Sequence, residues 1–464
     1  MKKKLLLFVM ILLPMVASAD AVEIDGIYYN LITKGNIAEV TYNPDNYSRY
    51  TGSISIPEKV SYNSVDYNVT SIGESAFKFC FRLTSITIPN SVTSIKSYAF
   101  LDCGELTSVV IPNSVTTIED GAFGRCSGLT SLTIPNSVTT IRGRTFEGCS
   151  SLTSLTIPNS VTTIGDAAFM DCSSLTSLTI PNNVTTIEKS TFENCSGLVS
   201  VTIPNSVESI NGHAFKNCSS LTSLNIPNSV AAIGVGAFES CSSLTSVNIS
   251  NSLRTIGEEV FLNCSSLTSL TIPNSVIFIG SKSFRNCSSL TSVNIPNSVD
   301  AIGFGAFEGC SSLTSVTIPN SVTSIEVNAF YGCTGLTSII IESGIKKIGS
   351  GAFASCTNLA DVYCYAESVP SSDSDVFLDS YIEYATLHVA KGCIDAYKAA
   401  EPWKSFKNIV EEDATGINDI ENPAVTEPFD VYDLNGHKVL TQVTSLDGLP
   451  QGLYIVNSKK ILKK

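Results

Sequence analysis

The amino-acid sequence predicts a β-rich solenoid made of short, near-identical coils. Three observations carry that reading. Cysteine recurs every 23 residues from Cys80 to Cys356; phenylalanine keeps the register three residues earlier, from Phe77 to Phe353, and leucine three residues later, from Leu83 to Leu359. Self-similarity at a fixed period of this length marks stacked repeats. The Ser-x-(Thr/Asn) alternation followed by Ile-Pro-Asn, repeated in most units, marks one short strand per coil. The composition agrees: 43% of the 464 residues are hydrophobic and 15% charged, below the usual quarter and without the polarity of a disordered chain.

The chain opens on Lys2-Lys3-Lys4, an apolar run from Leu5 to Leu13 and the A-x-A site Ala17-Ser18-Ala19. This is the layout of a signal peptide, residues 1–19, cut before Asp20, and the run is too short to span a bilayer comfortably. No cysteine follows it, and no later segment is long and apolar enough to cross a membrane. The expectation is an exported chain with no transmembrane span in its mature form. Residues 20–53 then read as an N-terminal β cap, with VEIDGIYYNLI and NIAEVTY forming a hairpin around Lys34-Gly35. ISIPEKV, from Ile54, is an early copy of the repeat strand, and SYNSVDYN is an insertion before the regular register begins.

One coil reads F-x-x-C-x-x-L-x-x-(L/V/I)-x-I-P-N-S-V-x-x-I-x-x-x-A. Starting at Phe146, its apolar set is Phe146, Cys149, Leu152, Leu155, Ile157, Val161, Ile164 and Ala168. Leu155 and Ile157 alternate with Ser154 and Thr156, a half-buried strand that Pro158-Asn159 ends, since proline brings no ladder donor and asparagine tolerates turns. Val161 to Ile164 is expected to be a second extended piece, and GDAAFMDC (Gly165 to Cys172) a short helical or 3₁₀ turn with its Ala and Phe inward. A lone coil cannot fold: burial contributes roughly 1.5–3 kcal/mol per large apolar side chain, against about 1–2 kcal/mol of backbone entropy per residue. Stacking at about 4.8 Å completes each core from its neighbours.

The stack covers residues 54–364. In it Phe146, Cys149, Phe169, Cys172, Phe192 and Cys195 are expected to stand in columns. Many cysteines in an exported chain usually mean disulfides. Here identical slots place the thiols in parallel, which suits a column of free buried thiols, and the total of 15 is odd. A bridge between Cys364 and Cys393 stays open. Residues 365–410 read as a C-terminal cap, a final strand and short helix in which Trp403 and Phe406 cover the last coil. Residues 411–428 read as a polar linker. Residues 429–464 hold two or three short strands with turns at Asp433 to Gly436 and Leu449 to Gly452.

The chemistry-bearing residues do not assemble into a site. The three histidines, His213, His388 and His437, fall in separate segments, so no pair or Ser-His-Asp trio is expected. A 23-residue cysteine spacing is a packing period and not a metal-ligand spacing. Gly234-Val235-Gly236 and Gly303-Phe304-Gly305 lack the third glycine of a phosphate loop, and Asp373-Ser374-Asp375 lacks the rest of a calcium loop. A net charge of −14 disfavours nucleic acid as a partner. No enzyme activity, cofactor or metal is expected. What remains is the outward lattice of the strands: Ser131, Thr133, Ser154, Thr156, Ser177, Thr179, Ser200, Thr202, Ser223 and Asn225. This polar, weakly charged face is either a broad contact surface or plain solubilising cover. Varied turn positions, among them Lys78-Phe79, Glu258-Glu259, Lys216-Asn217 and Arg285-Asn286, are the second candidate region.

With L-x-x-L-x-I-P-x-S-V-x-x-I-x-x-x-A-F-x-x-C laid out, the repeats resemble the BspA-like leucine-rich repeats over roughly residues 54–364, and the segment to Val410 is similar to that family's usual ending. The resemblance implies a leucine-rich-repeat solenoid on the outer surface of bacteria that adheres to host proteins or other cells. The tail resembles the sorting signal of type IX secretion through VYDLNGHKV (Val431 to Val439), LPQGLYIV (Leu449 to Val456) and the Lys-rich end; a plain β module is the alternative. On this reading the partners are host extracellular-matrix or cell-surface proteins or glycans, with the secretion machinery meeting the tail. A passive surface-layer or spacer element is the competing expectation. A binder matched to an ordered surface, such as a crystalline polysaccharide or ice, is a third.

Overall fold

In a computed structural model the described residues are 21–47, 50–412, 417–418, 429–432, 438–443, 452–456 and 459–463. The expected signal peptide, His437 and both expected tail turns lie outside them, apart from Gly452. The chain divides into two compact units, Met1–Val161 and Thr162–Lys464, and each is a stack of 23-residue coils.

In the first unit Val22–Ile24, Ile27–Ile32 and Ile37–Thr41 form an antiparallel meander. Ile37–Thr41 then pairs in parallel with Val65–Ile72 across an irregularity at Ala38/Glu39. There the cap's antiparallel pairing becomes the parallel pairing of the coils. Gly52–Ser55 pairs in parallel with Leu83–Thr87, so the early copy at Ile54 is already a coil strand. The SYNSVDYN insertion is a hairpin, Lys59–Tyr62 against Val65–Ile72. Its turn residues Asn63 and Ser64 both have positive φ, 50° and 64°, the geometry that matches strand twist in a two-residue hairpin.

The core is the set of repeated slots. Phe123, Cys126, Leu129, Val138 and Ala122 are fully buried, as are Phe146 and Cys149 and, in the second unit, Phe169, Cys172, Phe192 and Cys195. The phenylalanine rings stack nearly parallel: Phe77 to Phe100 at 5.1 Å, Phe100 to Phe123 at 5.0 Å, and in the second unit Phe169 to Phe192 at 5.7 Å. The second unit's column continues through Phe353 to Phe377 at 5.8 Å, one coil past the last repeated cysteine. That final coil is invisible to a 23-residue ruler because its phenylalanine comes after 24. Trp403 and Phe406 then meet Phe377 edge-on, at 5.6 and 5.4 Å, and close the column.

The expected helical turn is not a helix. Gly165 to Cys172 is a run of tight turns with positive φ at Ala167 (53°) and Asp171 (61°). Its amides alternate in direction. Ala168, Met170 and Cys172 donate to the carbonyls three residues back, while Ala167, Phe169 and Asp171 donate to Lys189, Thr191 and Glu193 of the next coil at 2.8–2.9 Å. A helix would consume every amide within its own coil, whereas alternation leaves half of them to bind the neighbour. Among the described residues, helix occurs only in the C-terminal cap, as Ile394–Ala399 and two single-turn 3₁₀ segments.

Side chains at the left-handed slot lean toward the following coil, and glycine makes room for the large ones. Gly121 (φ +61°) lies where a Cβ would come within 2.7 Å of the Tyr98 ring, and Gly236 stands in the same relation to His213.

The fifteen cysteines are free thiols. The Cys364–Cys393 bridge left open by the sequence is not formed: Cys364 Sγ lies 3.2 Å from the Tyr397 hydroxyl, and Cys393 Sγ donates to Glu367 O. The ladder thiols are more than small hydrophobes. Those from Cys103 to Cys149 and from Cys195 to Cys356 donate to the phenylalanine carbonyl of the preceding coil, Cys126 Sγ to Phe100 O at 3.2 Å and Cys264 Sγ to Phe238 O at 3.3 Å, while Cys80 donates to Tyr47 O. The same carbonyls also accept the amide three residues on, Cys103 N at 3.2 Å and Cys241 N at 3.3 Å. Both lone pairs of a buried carbonyl are thus used. Burial pushes the Cys149 and Cys195 thiols up to about 12, partly offset by a backbone hydrogen bond.

Beyond Glu412 the second unit holds one more sheet. Ile417–Asn418 pairs in parallel with Lys459–Lys463, which is antiparallel to Gly452–Val456; that strand pairs with Phe429–Tyr432, itself antiparallel to Lys438–Val443.

Candidate binding face

Each coil presents a short strand to solvent, three residues long from Ser108–Val110 to Ser292–Asn294. In the first unit Ser131 stands opposite Ser154 and Thr133 opposite Thr156. In the second, Ser177 and Thr179 stand opposite Ser200 and Thr202, and Ser223 and Asn225 opposite Ser246 and Asn248. The period of two turns Leu132, Leu178 and Leu224 inward, each 4% exposed, and leaves all ten candidate residues exposed.

These exposed groups differ from other hydroxyls of the coil. Among the described residues, the serines and threonines of the ten make no side-chain hydrogen bond, and Asn225 accepts one from Asn248 Nδ2 at 2.7 Å. Several of the threonines just ahead of a strand are committed to the stack instead: Thr153 Oγ1 donates to Thr130 O at 3.2 Å, and Thr245 Oγ1 to Thr222 O at 3.0 Å. Many of the varied turn positions are committed too. Lys216 pairs with Glu239 (2.9 Å), Lys282 with Glu259 (3.0 Å) and Arg285 with Glu308 (2.8 Å), each one coil apart. Asn217 and Asn286 donate to Asn194 and Asn263 in the same way, at 2.8 and 2.9 Å. Unspent polar groups occur in both candidate regions, but on the strands they recur in register from coil to coil.

From Ser177 to Asn294 the strands of the second unit pair two by two, Ser177–Thr179 with Ser200–Thr202, Ser223–Asn225 with Ser246–Asn248, and Ser269–Thr271 with Ser292–Asn294, and from Ser315–Ile318 onward they run on as one five-stranded sheet. The amide ahead of each strand keeps the same beat. It donates to the previous coil at 2.9 Å for Val199 and Thr245 inside pairs, and at 3.3 Å for Thr222 and Thr268 between them. The inward strand residue alternates in step: Leu178, Val201, Leu224, Val247, Leu270, Val293. The leucines are buried and the valines half-buried. The true period here is two coils, and the Leu/Val alternation is the signal that could have shown it.

Two arrangements go beyond the sequence reading, which names Phe79 only as a varied turn position and His388 only as an isolated histidine. Phe79, Phe81 and Tyr98 are exposed, with Lys78 Nζ 5.0 Å from the Phe79 ring. They fill slots on either side of Cys80 and in the left-handed turn that other coils give to small or polar residues. His388 carries both ring nitrogens against carboxylates, Glu412 and Asp361. His213 sits in a left-handed turn (φ 59°), as an ordinary turn residue. Among the described residues no group of three or more His, Cys, Asp or Glu could hold a metal ion, and no helix is long and apolar enough to cross a membrane.

Comparison with known proteins follows the repeat. Residues 55–176, 162–291 and 278–397 match the family described as BspA type leucine-rich-repeat region, in six copies. A leucine-rich repeat protein from Bacteroides ovatus is 33% identical, with a TM-score of 0.62, over 74% of this chain and 94% of that one. A leucine rich cell surface protein from Faecalibacterium prausnitzii is 29% identical, with a TM-score of 0.48, over the same shares. No curated protein matches the chain.

Proposed function

The chain belongs to the BspA-type leucine-rich-repeat family, and from that premise we propose that it is an exported surface protein that adheres to host or neighbouring-cell macromolecules without catalysing a reaction. Membership in that family fits a surface repeat protein, and a leucine-rich-repeat solenoid is generally a non-catalytic scaffold. One observation supports the choice of surface. The strand residues Ser131, Thr133, Ser154, Thr156, Ser177, Thr179, Ser200, Thr202, Ser223 and Asn225 are exposed and nearly free of internal hydrogen bonds, while turn residues such as Lys216, Asn217, Arg285 and Asn286 spend polar groups on neighbouring coils. Binding on this reading is multivalent: many weak polar contacts at coil spacing add up because each engages while its neighbours hold the partner near. The partners are extracellular-matrix or cell-surface proteins or glycans. The basic, apolar start of the chain supports export, and the tail motifs support contact with a type IX secretion machinery.

The test is a matrix-protein and glycan array probed with the purified chain and with a variant carrying Thr179→Lys, Thr202→Lys and Thr271→Lys. A ligand bound by the chain and lost or weakened at least tenfold in the variant, with unchanged circular dichroism, supports the reading. Failure to bind anything on the array, or binding that ignores the three lysines, supports a passive spacer.

A further inference from the structure

We propose that His388 is a pH-gated clamp holding the terminal strand of the coil stack. The five-stranded parallel ladder at the end of the second unit finishes with Asp361–Cys364, Thr386–Ala390 and Asn408–Glu412. His388 lies in the middle strand, level with Tyr363 on one side and Val410 on the other. Its side chain reaches diagonally both ways. Nε2 lies 3.0 Å from Asp361 Oδ1, and Nδ1 lies 2.7 Å from Glu412 Oε1. The ring stacks on Tyr363 at 4.1 Å, with 15° between the planes. The histidine side chain is only 13% exposed, so these contacts are its surroundings and water is a minor one.

The geometry assigns a protonation state. A carboxylate only accepts, so each ring nitrogen must carry a proton to be bonded at these distances, and only the imidazolium has two. Removing one proton leaves a lone pair facing a carboxylate oxygen and breaks one of two charge-assisted bonds. Both carboxylates also bear on the hydroxyl of Tyr363, whose ring stacks on the imidazole. Glu411, the neighbour of Glu412, accepts from Gly392 N and Ile394 N instead, at 3.0 and 3.3 Å; it steadies the strand by contacts that do not titrate with the ring. Among the described residues Asn408–Glu412 has a ladder partner on one side only, so the clamp acts on an edge strand. Raising the pH loosens this strand.

The experiment is hydrogen exchange of the full chain between pH 5.5 and 8.5, corrected for intrinsic exchange rates. Peptides covering 386–390 and 408–412 are read against a reference over 315–341. Protection of 408–412 is expected to fall roughly tenfold as the pH rises, the loss of one charge-assisted bond, while the reference stays flat. His388→Gln, whose amide does not titrate, is expected to abolish that pH dependence. Asp361→Asn keeps the ring and the Glu412 contact and is expected to reduce the slope without abolishing it, a check that holds should His388→Gln fold poorly. A flat wild-type profile, or the same slope in the wild type and both variants, overturns the proposal.

Discussion

Replacing one ladder thiol separates two views of why cysteine occupies this slot. Cys264 is fully buried, and its Sγ donates to Phe238 O at 3.3 Å. In Cys264→Ala the lost sulfur costs about 1 kcal/mol of transfer free energy, plus a small cavity term. The weak S–H bond adds a few tenths, because Phe238 O keeps its second partner, Cys241 N. The sum is about 1–2 kcal/mol. Solenoid coils open in nearest-neighbour fashion, so the effect is best read locally, as amide hydrogen exchange in the coils on either side of Cys264. A loss of about 1–2 kcal/mol appears there as a roughly 5- to 30-fold drop in protection. Cys264→Ser decides the mechanism. A hydroxyl placed in a purely apolar slot costs about 1–3 kcal/mol more than alanine, whereas one that inherits the bond to Phe238 O costs no more than alanine. Serine losing at least tenfold more protection than alanine refutes the donor role and returns the thiol to a plain space-filler.

Other outcomes follow from the same contacts. With Ellman's reagent the folded chain should yield at most one fast thiol, Cys393, whose side chain is partly exposed while the other fourteen are buried; several fast thiols would contradict the column. Burial raises the thiols of Cys149 and Cys241 from an ordinary 9.0 to about 12. The unfolded chain therefore releases protons first, and stability present below about pH 9 should fall between pH 9 and 12, which a urea series across that range measures. Gly121→Ala, at φ +61° and against the Tyr98 ring, should cost about 1–2 kcal/mol from its left-handed backbone alone, with partial recovery when Tyr98→Ala is added. Trp403 is the only tryptophan and is fully buried against Phe377 and Tyr397. Trp403→Phe should preserve the cap better than Trp403→Ala, which loses about 3–5 kcal/mol, as read by proteolysis at the C-terminal end of the coils.

Much of the coil was legible because one residue type repeats in one slot. Thirteen copies of Phe, Cys and Leu at a common spacing leave no other economical packing than columns, and the strand alternation needed only the period of two. The histidine clamp was not legible. His388, Asp361 and Glu412 are scattered over 52 positions of sequence, and only the parallel register of three strands places them together. The helical expectation for Gly165 to Cys172 failed for a related reason: local propensity favours a turn of helix, while the demand for inter-coil hydrogen bonds is a property of the stack.

The sequence by itself determined the coil length, the identity of the buried columns and the polar character of the strand face, since each is a periodic property that one coil states and the next repeats. Only the tertiary structure decided how each coil binds the next. Alternating amides, thiols aimed at a carbonyl 26 residues back, the two-coil beat of the strands and the ionic clamp at the last strand depend on distances between atoms in different coils. Those distances are set by stacking geometry, which no single window of sequence contains.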